Sequence, residues 1–92
     1  MIALTVKSQT RNEFIDITFQ IENAVQSSGI QKGYCLLYVP HTTAGITVNE
    51  GADPSVQEDV LNFLAHEVPP KKLYKHLEGN ADAHMKSSLI GV

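Results

Sequence analysis

The sequence predicts an α+β fold in one small domain, residues 1–92, and three observations carry that expectation. Short runs alternate apolar and polar residues with the period of two that a half-buried strand requires. Two longer stretches repeat apolar residues at helical spacing between capping residues. The strand-like runs come in pairs separated by the helical stretches, an order that favours α+β over a doubly wound parallel sheet. The predicted order is β-β-α-β-β-α, followed by a short helix or strand.

The first run, "MIALTVK", sets Ile2, Leu4 and Val6 against Ala3, Thr5 and Lys7. A turn-like "SQTRNE" follows, and "EFIDIT" resumes a β-rich pattern at Phe14, Ile15 and Ile17, so the two runs read as a hairpin. Thr18 is placed to cap a helix through "FQIENAVQSS", with Gly29 at the left-handed position that ends it. Phe19 or Ile21, together with Ala24, Val25 and Ser28, gives that helix its inward stripe. "GYCLLYVPH" is nearly continuous in apolar residues and reads as a central strand, with Cys35 as a buried core thiol. After a corner at His41–Gly45, "ITVNE" alternates as a further strand. "ADPSVQEDVLNFLAHE" is the clearest helix: Asp53 fits the N-cap and Pro54 the first turn, where a missing N–H leaves no bond unmade. Val56, Val60, Leu61 and Leu64 share one face, and Pro69–Pro70 stops the helix. After a polar loop, "ADAHMKSSLIG" reads as a short helix between Asn80 and Gly91, or as a strand.

Composition narrows the function. Seven Lys+Arg against ten Asp+Glu leave a formal charge of −3, with basic residues scattered apart from Lys71–Lys72 and nearby Lys75. That is not the footprint of a nucleic-acid binder, although a small anion held by local groups fits. No apolar run approaches the ~20 residues of a membrane span. The opening residues do not have the order of a signal peptide, and a single cysteine makes no disulfide framework, so a cytoplasmic setting is expected.

Three polar clusters could carry chemistry. His41-Thr42-Thr43 stand at the end of an apolar run, where hydroxyls and backbone amides can donate to a phosphate or carboxylate; a solvated turn is the plain alternative. Asn49 and Glu50 precede Asp53 and are placed to hold an imidazole or a substrate. "YKHLEGNADAH" packs His76, Glu78, Asn80, Asp82 and His84 around Gly79. Imidazoles and carboxylates at this density suit a metal such as zinc, or an acid and base, although the spacing matches no standard zinc motif. His66, near a helix C-terminus, has a sufficient structural reason there and is left out of the site. No nucleophile elbow, Walker loop or dinucleotide fingerprint is present.

Taken together, "PHTTAGITVNEGADPSVQEDV", "LYKHLEGNADAH" and "KSSLIG" resemble the YjbQ family of small proteins, often labelled secondary thiamine-phosphate synthase enzymes. The likeness in order and spacing runs from Thr18 to Gly91. It implies a β-sandwich-like α+β fold assembled as a homotrimer, with a histidine-rich pocket that takes an anion or a divalent metal ion, zinc or magnesium. Family members continue with further strands and a Gly-Thr-Trp-Gln segment, so the resemblance also implies that this chain is C-terminally truncated relative to the family.

The reaction that the family label implies joins a pyrimidine diphosphate to a thiazole phosphate and releases pyrophosphate. In such a scheme the catalytic residues would be His41, Glu50 and His84, with an imidazole as acid and Glu50 orienting it. Thr42, Thr43, Asn49, Asn80 and Asp82 would bind the phosphorylated metabolite, and His41, His76 and His84 would be the metal ligands. The alternative is a non-catalytic trimeric module that binds a metal or phosphate. A purely structural interaction protein fits the polar density of "EGNADAH" less well.

Overall fold

A computed structural model describes residues 1–70 and 73–92, so the paired lysines Lys71–Lys72 lie outside the described residues. The chain divides into two compact units, Met1–Leu36 and Leu37–Val92.

In the first unit, a turn is closed by Glu13, whose carboxylate accepts from the Gln9 N–H at 3.1 Å and the Thr10 hydroxyl at 2.6 Å. Helix α1 (Thr18–Ser28) follows. Its start is set one residue earlier than the sequence suggests. The Asp16 carboxylate accepts both the Thr18 N–H at 2.9 Å and the Thr18 hydroxyl at 2.6 Å, so Thr18 enters the helix instead of capping it. The helix ends as expected at Gly29, which adopts a left-handed φ of 76° and donates its N–H to Gln26 O. Of the expected stripe, Ile21 and Ala24 are half-buried, whereas Phe19 stands 71% exposed and Val25 and Ser28 are exposed as well. Ile2 and Leu4 line one shallow cleft with Gln20, Asn23, Ala24 and Ser27 of α1, although Ile2, Leu4 and Val6 are all exposed and not half-buried as their alternation predicts.

The second unit holds α2 (Pro54–Glu67) and α3 (Ala81–Ile90). Asp53 caps α2, accepting the Ser55 N–H at 2.9 Å and the Ser55 hydroxyl at 2.8 Å, with Pro54 in the first turn. Val56, Val60, Leu61 and Leu64 are all half-buried, as their spacing requires. The helix closes with the Val68 N–H on Leu64 O, and Pro69 follows. The Tyr74 hydroxyl then donates to Pro69 O at 2.7 Å. The ambiguous last element is a helix: α3 begins after Asn80 and ends at Gly91, with φ 99°. Val68 and Ala81 are the buried apolar residues among those described.

The expected β-sandwich is not found. Among the described residues there are three helices and no strand, so the predicted order β-β-α-β-β-α gives way to helices joined by irregular segments. The physical reason is that apolar alternation supplies only the side-chain half of a strand; the other half is a ladder of backbone bonds to a neighbour. "MIALTVK" and "EFIDIT" form no hairpin ladder, and "GYCLLYVPH" and "ITVNE" pair with no strand among the described residues. Leu36 and Val48 are 92% and 95% exposed, and Cys35, expected in the core, is exposed with them. Two of the backbone amides in these runs are used differently. The Val39 N–H donates to Val92 O at 3.4 Å and the Ile46 N–H to Gly91 O at 3.1 Å, so the segment around the His41 corner is tied to the residues that follow α3.

Candidate functional site

Every candidate residue lies in the second unit, and several of them gather at α3. Gly79, with φ 78°, reverses the chain immediately before the helix, a conformation that a side chain resists. This turn carries His76 back onto the first turn of α3, where its ring meets the His84 ring edge-on, at 5.0 Å between centroids and 81° between planes. Glu78 reaches the His76 Nε2 at 3.8 Å across partly open solvent. His84 also lines an open cleft of about 410 Å³ with Val68, Met85, Ser88 and Leu89, an apolar surface with one imidazole at its edge.

Below this pair the helix is charged but closed. Asp82 is 1% exposed, and Lys86, one turn on, places its ammonium 3.1 Å from the Asp82 carboxylate. The carboxylate expected to meet substrate is therefore held inside by a cation. Asn80 Oδ1 is buried without a hydrogen-bond partner among the described residues, a polar atom that a ligand or water donor would satisfy.

The His41-Thr42-Thr43 corner joins α3 through its backbone. The Ser87 hydroxyl, on the helix, lies 2.5 Å from Thr42 O. The side chains of His41, Thr42 and Thr43 are exposed. Asn49 and Glu50 are not brought to the imidazoles: the Asn49 side-chain oxygen accepts the Glu50 N–H at 2.7 Å, both residues are exposed, and the imidazole–carboxylate contacts among the described residues are His66–Glu67 and His76–Glu78. His66, left out on sequence grounds, is indeed an exposed residue in the last turn of α2.

A catalytic zinc site needs three protein ligands at once. Among the described residues no group of three or more His, Cys, Asp or Glu converges; His76 and His84 meet, and His41 does not complete a set with them. Sequence reasoning missed Lys86 and Ser87. The i, i+4 spacing of Asp82 and Lys86 was a usable signal for the first, whereas the separation of 45 positions between Ser87 and Thr42 left none for the second.

These features define a small protein that gathers imidazoles, hydroxyls and an unsatisfied amide oxygen around one short helix. The chain belongs to the YjbQ/UPF0047 family: the family profile described as UPF0047 protein YjbQ-like matches residues 2–92. It is 54% identical over 86 residues to a UPF0047 protein of Methanocaldococcus jannaschii, covering 94% of this chain and 62% of that one. It is 49% identical over 89 residues to the UPF0047 protein YugU of Bacillus subtilis, covering 96% and 67%. Among solved structures, an uncharacterized YjbQ/UPF0047 family protein from Clostridium acetobutylicum superposes with a TM-score of 0.83 at 47% identity, covering 94% of this chain and 67% of that one. A conserved hypothetical protein from Thermus thermophilus gives 0.74 at 45% identity, covering 87% and 62%. The chain thus spans roughly three-fifths to two-thirds of the length of these relatives. No helix among the described residues is long and apolar enough to cross a membrane.

Proposed function

We propose that this chain carries part of a pocket for a phosphorylated small molecule, and that the reaction served is a transfer of the secondary thiamine-phosphate synthase type. The observation that supports this reading is the edge contact of His76 and His84, with His84 at the mouth of an apolar cleft and α3 bonded to the His-Thr-Thr corner. In the proposed reaction a ring nitrogen of the thiazole phosphate forms a bond to the pyrimidine methylene carbon while the bond from that carbon to diphosphate breaks. Pyrophosphate leaves with the electron pair, and an imidazolium, His84 or His41, supplies a proton to the leaving oxygen. Thr42, Thr43 and neighbouring backbone N–H groups donate to phosphate, and Asn80 and Asn49 contribute polar contacts. The apolar wall of Val68, Met85 and Leu89 suits an aromatic ring. Elemental analysis of the purified protein decides whether zinc or magnesium joins the site.

The homotrimer and the cytoplasmic setting belong to the same proposal. Large apolar side chains left in solvent, Tyr38 and Val48 among them, support assembly that would cover them.

The test is a condensation assay with a pyrimidine diphosphate and a thiazole phosphate. His84→Ala and His41→Ala should each lose at least about a hundredfold in rate, the ordinary weight of a general acid. A loss of less than about twofold in both sinks the reading. The second reading, a non-catalytic trimeric module binding metal or phosphate, is favoured by the position of Glu50, whose carboxylate meets no imidazole among the described residues. It predicts phosphate binding without turnover and no effect of Glu50→Gln.

A further inference from the structure

Ser87 stands in "KSSLIG", and its hydroxyl makes the bond that joins α3 to the His-Thr-Thr corner. Its hydroxyl oxygen lies 2.9 Å from His84 O, one turn back, and 2.5 Å from Thr42 O, in a segment 45 residues away. A helical serine ordinarily satisfies its hydroxyl on its own preceding turn, so the local bond alone would need nothing from the corner. The second acceptor joins the helix that bears His84 to the middle of the His41-Thr42-Thr43 corner.

The same corner is held at both ends. The Val39 N–H donates to Val92 O before it, and the Ile46 N–H donates to Gly91 O after it. Gly45 makes the approach possible: a Cβ there would fall 2.6 Å from Gly91 O and 3.0 Å from Ile90 Cγ2. Three bonds and one missing side chain therefore fasten a short polar segment to the end of α3.

We propose that Ser87 is a positioning residue, fixing the His41–Thr43 corner against the helix of His84 so that donors from both segments address one phosphate group. The proposal rests on the pocket reading above and gives Ser87 its part in it.

The test uses the full chain with inorganic phosphate as probe, followed by NMR in the wild type, Ser87→Ala and Ser87→Thr. Amide exchange at Val39 and Ile46 reports the fastening itself, and the Thr42, Thr43 and His84 signals report phosphate. With one hydrogen bond removed, Ser87→Ala should speed exchange at Val39 and Ile46 by about tenfold and weaken phosphate binding by about fivefold. Ser87→Thr keeps the hydroxyl and should return both to within about twofold of wild type, a rescue that a requirement for mere bulk would not produce. Gly45→Ala pushes the same corner away from Gly91 and should reproduce the loss of affinity, which keeps the test decisive if Ser87→Ala folds poorly. Unchanged exchange and affinity in Ser87→Ala, or a Ser87→Thr no better than Ser87→Ala, overturns the positioning role and leaves the pocket standing. A wild-type chain whose Thr42, Thr43 and His84 signals ignore phosphate overturns the pocket reading, and the positioning role with it.

Discussion

Lys86 and Asp82 form an ion pair, 3.1 Å between Nζ and Oδ2, on consecutive turns of α3 and away from solvent. Buried pairs offset much of their attraction by desolvation, but removing one member leaves the other charge without that attraction in a poorly hydrated place. Lys86→Met should therefore destabilise the chain by about 3 kcal/mol, read from urea denaturation, whereas Asp82→Leu combined with Lys86→Met should recover most of the loss.

Three glycines separate space from conformation. Gly45→Ala must move backbone, because its Cβ would sit 2.6 Å from a carbonyl oxygen; a loss of about 1–3 kcal/mol is expected. Gly29→Ala meets no atom within 4 Å but must hold φ at 76°, a strain of about 1 kcal/mol. Gly51→Ala meets neither obstacle and should be neutral or stabilise by about 0.5 kcal/mol through the unfolded chain. Thermal melts of the three variants give the order directly.

Acid should loosen the helix starts first. The Ser55 amide and hydroxyl hold the Asp53 carboxyl below the ordinary aspartate range, and the Thr18 hydroxyl and amide do the same for Asp16. Each group binds fewer protons folded than unfolded between its lowered and ordinary values, so stability rises with pH across that interval. The contribution is whole above about pH 4 and is lost as the pH falls through the lowered values. Asp53→Asn keeps a good N-cap without the titration. Its helicity by circular dichroism should match wild type near neutrality and fall less steeply below about pH 4.

The imidazole contact has its own signature. Protons at the edge of one ring feel the ring current of the other when the planes are nearly perpendicular. His76→Ala should move the His84 ring-proton resonances, while His66→Ala, at an exposed position in α2, should leave them in place.

What could be read from the sequence was what the chain decides locally. Asp53, Pro54 and the Val56–Leu64 stripe lie within a few turns of one another, so α2 was legible to its cap. The start of α1 slipped by one residue because Asp16 competed successfully for the Thr18 amide. The apolar runs misled because a strand is completed by a distant partner, and composition alone does not say whether Leu36 or Cys35 will be covered. The site divided in the same way. The density of polar groups between His76 and His84 was visible, and their contact was not, since it depends on the turn at Gly79. The substrate contact expected of Asp82 gives way to burial against Lys86, a packing outcome that its place in a polar run does not disclose.

The bond from the Tyr74 hydroxyl to Pro69 O has a practical consequence for spectroscopy. The chain has three tyrosines and no tryptophan, so its ultraviolet emission is tyrosine emission alone. In the single folded chain Tyr34 and Tyr38 already stand in solvent, whereas Tyr74 is half-buried and bonded to a carbonyl. Unfolding therefore changes the surroundings of one fluorophore far more than those of the other two. Intrinsic fluorescence becomes a local gauge, reading the junction between α2 and the imidazole pair without any label.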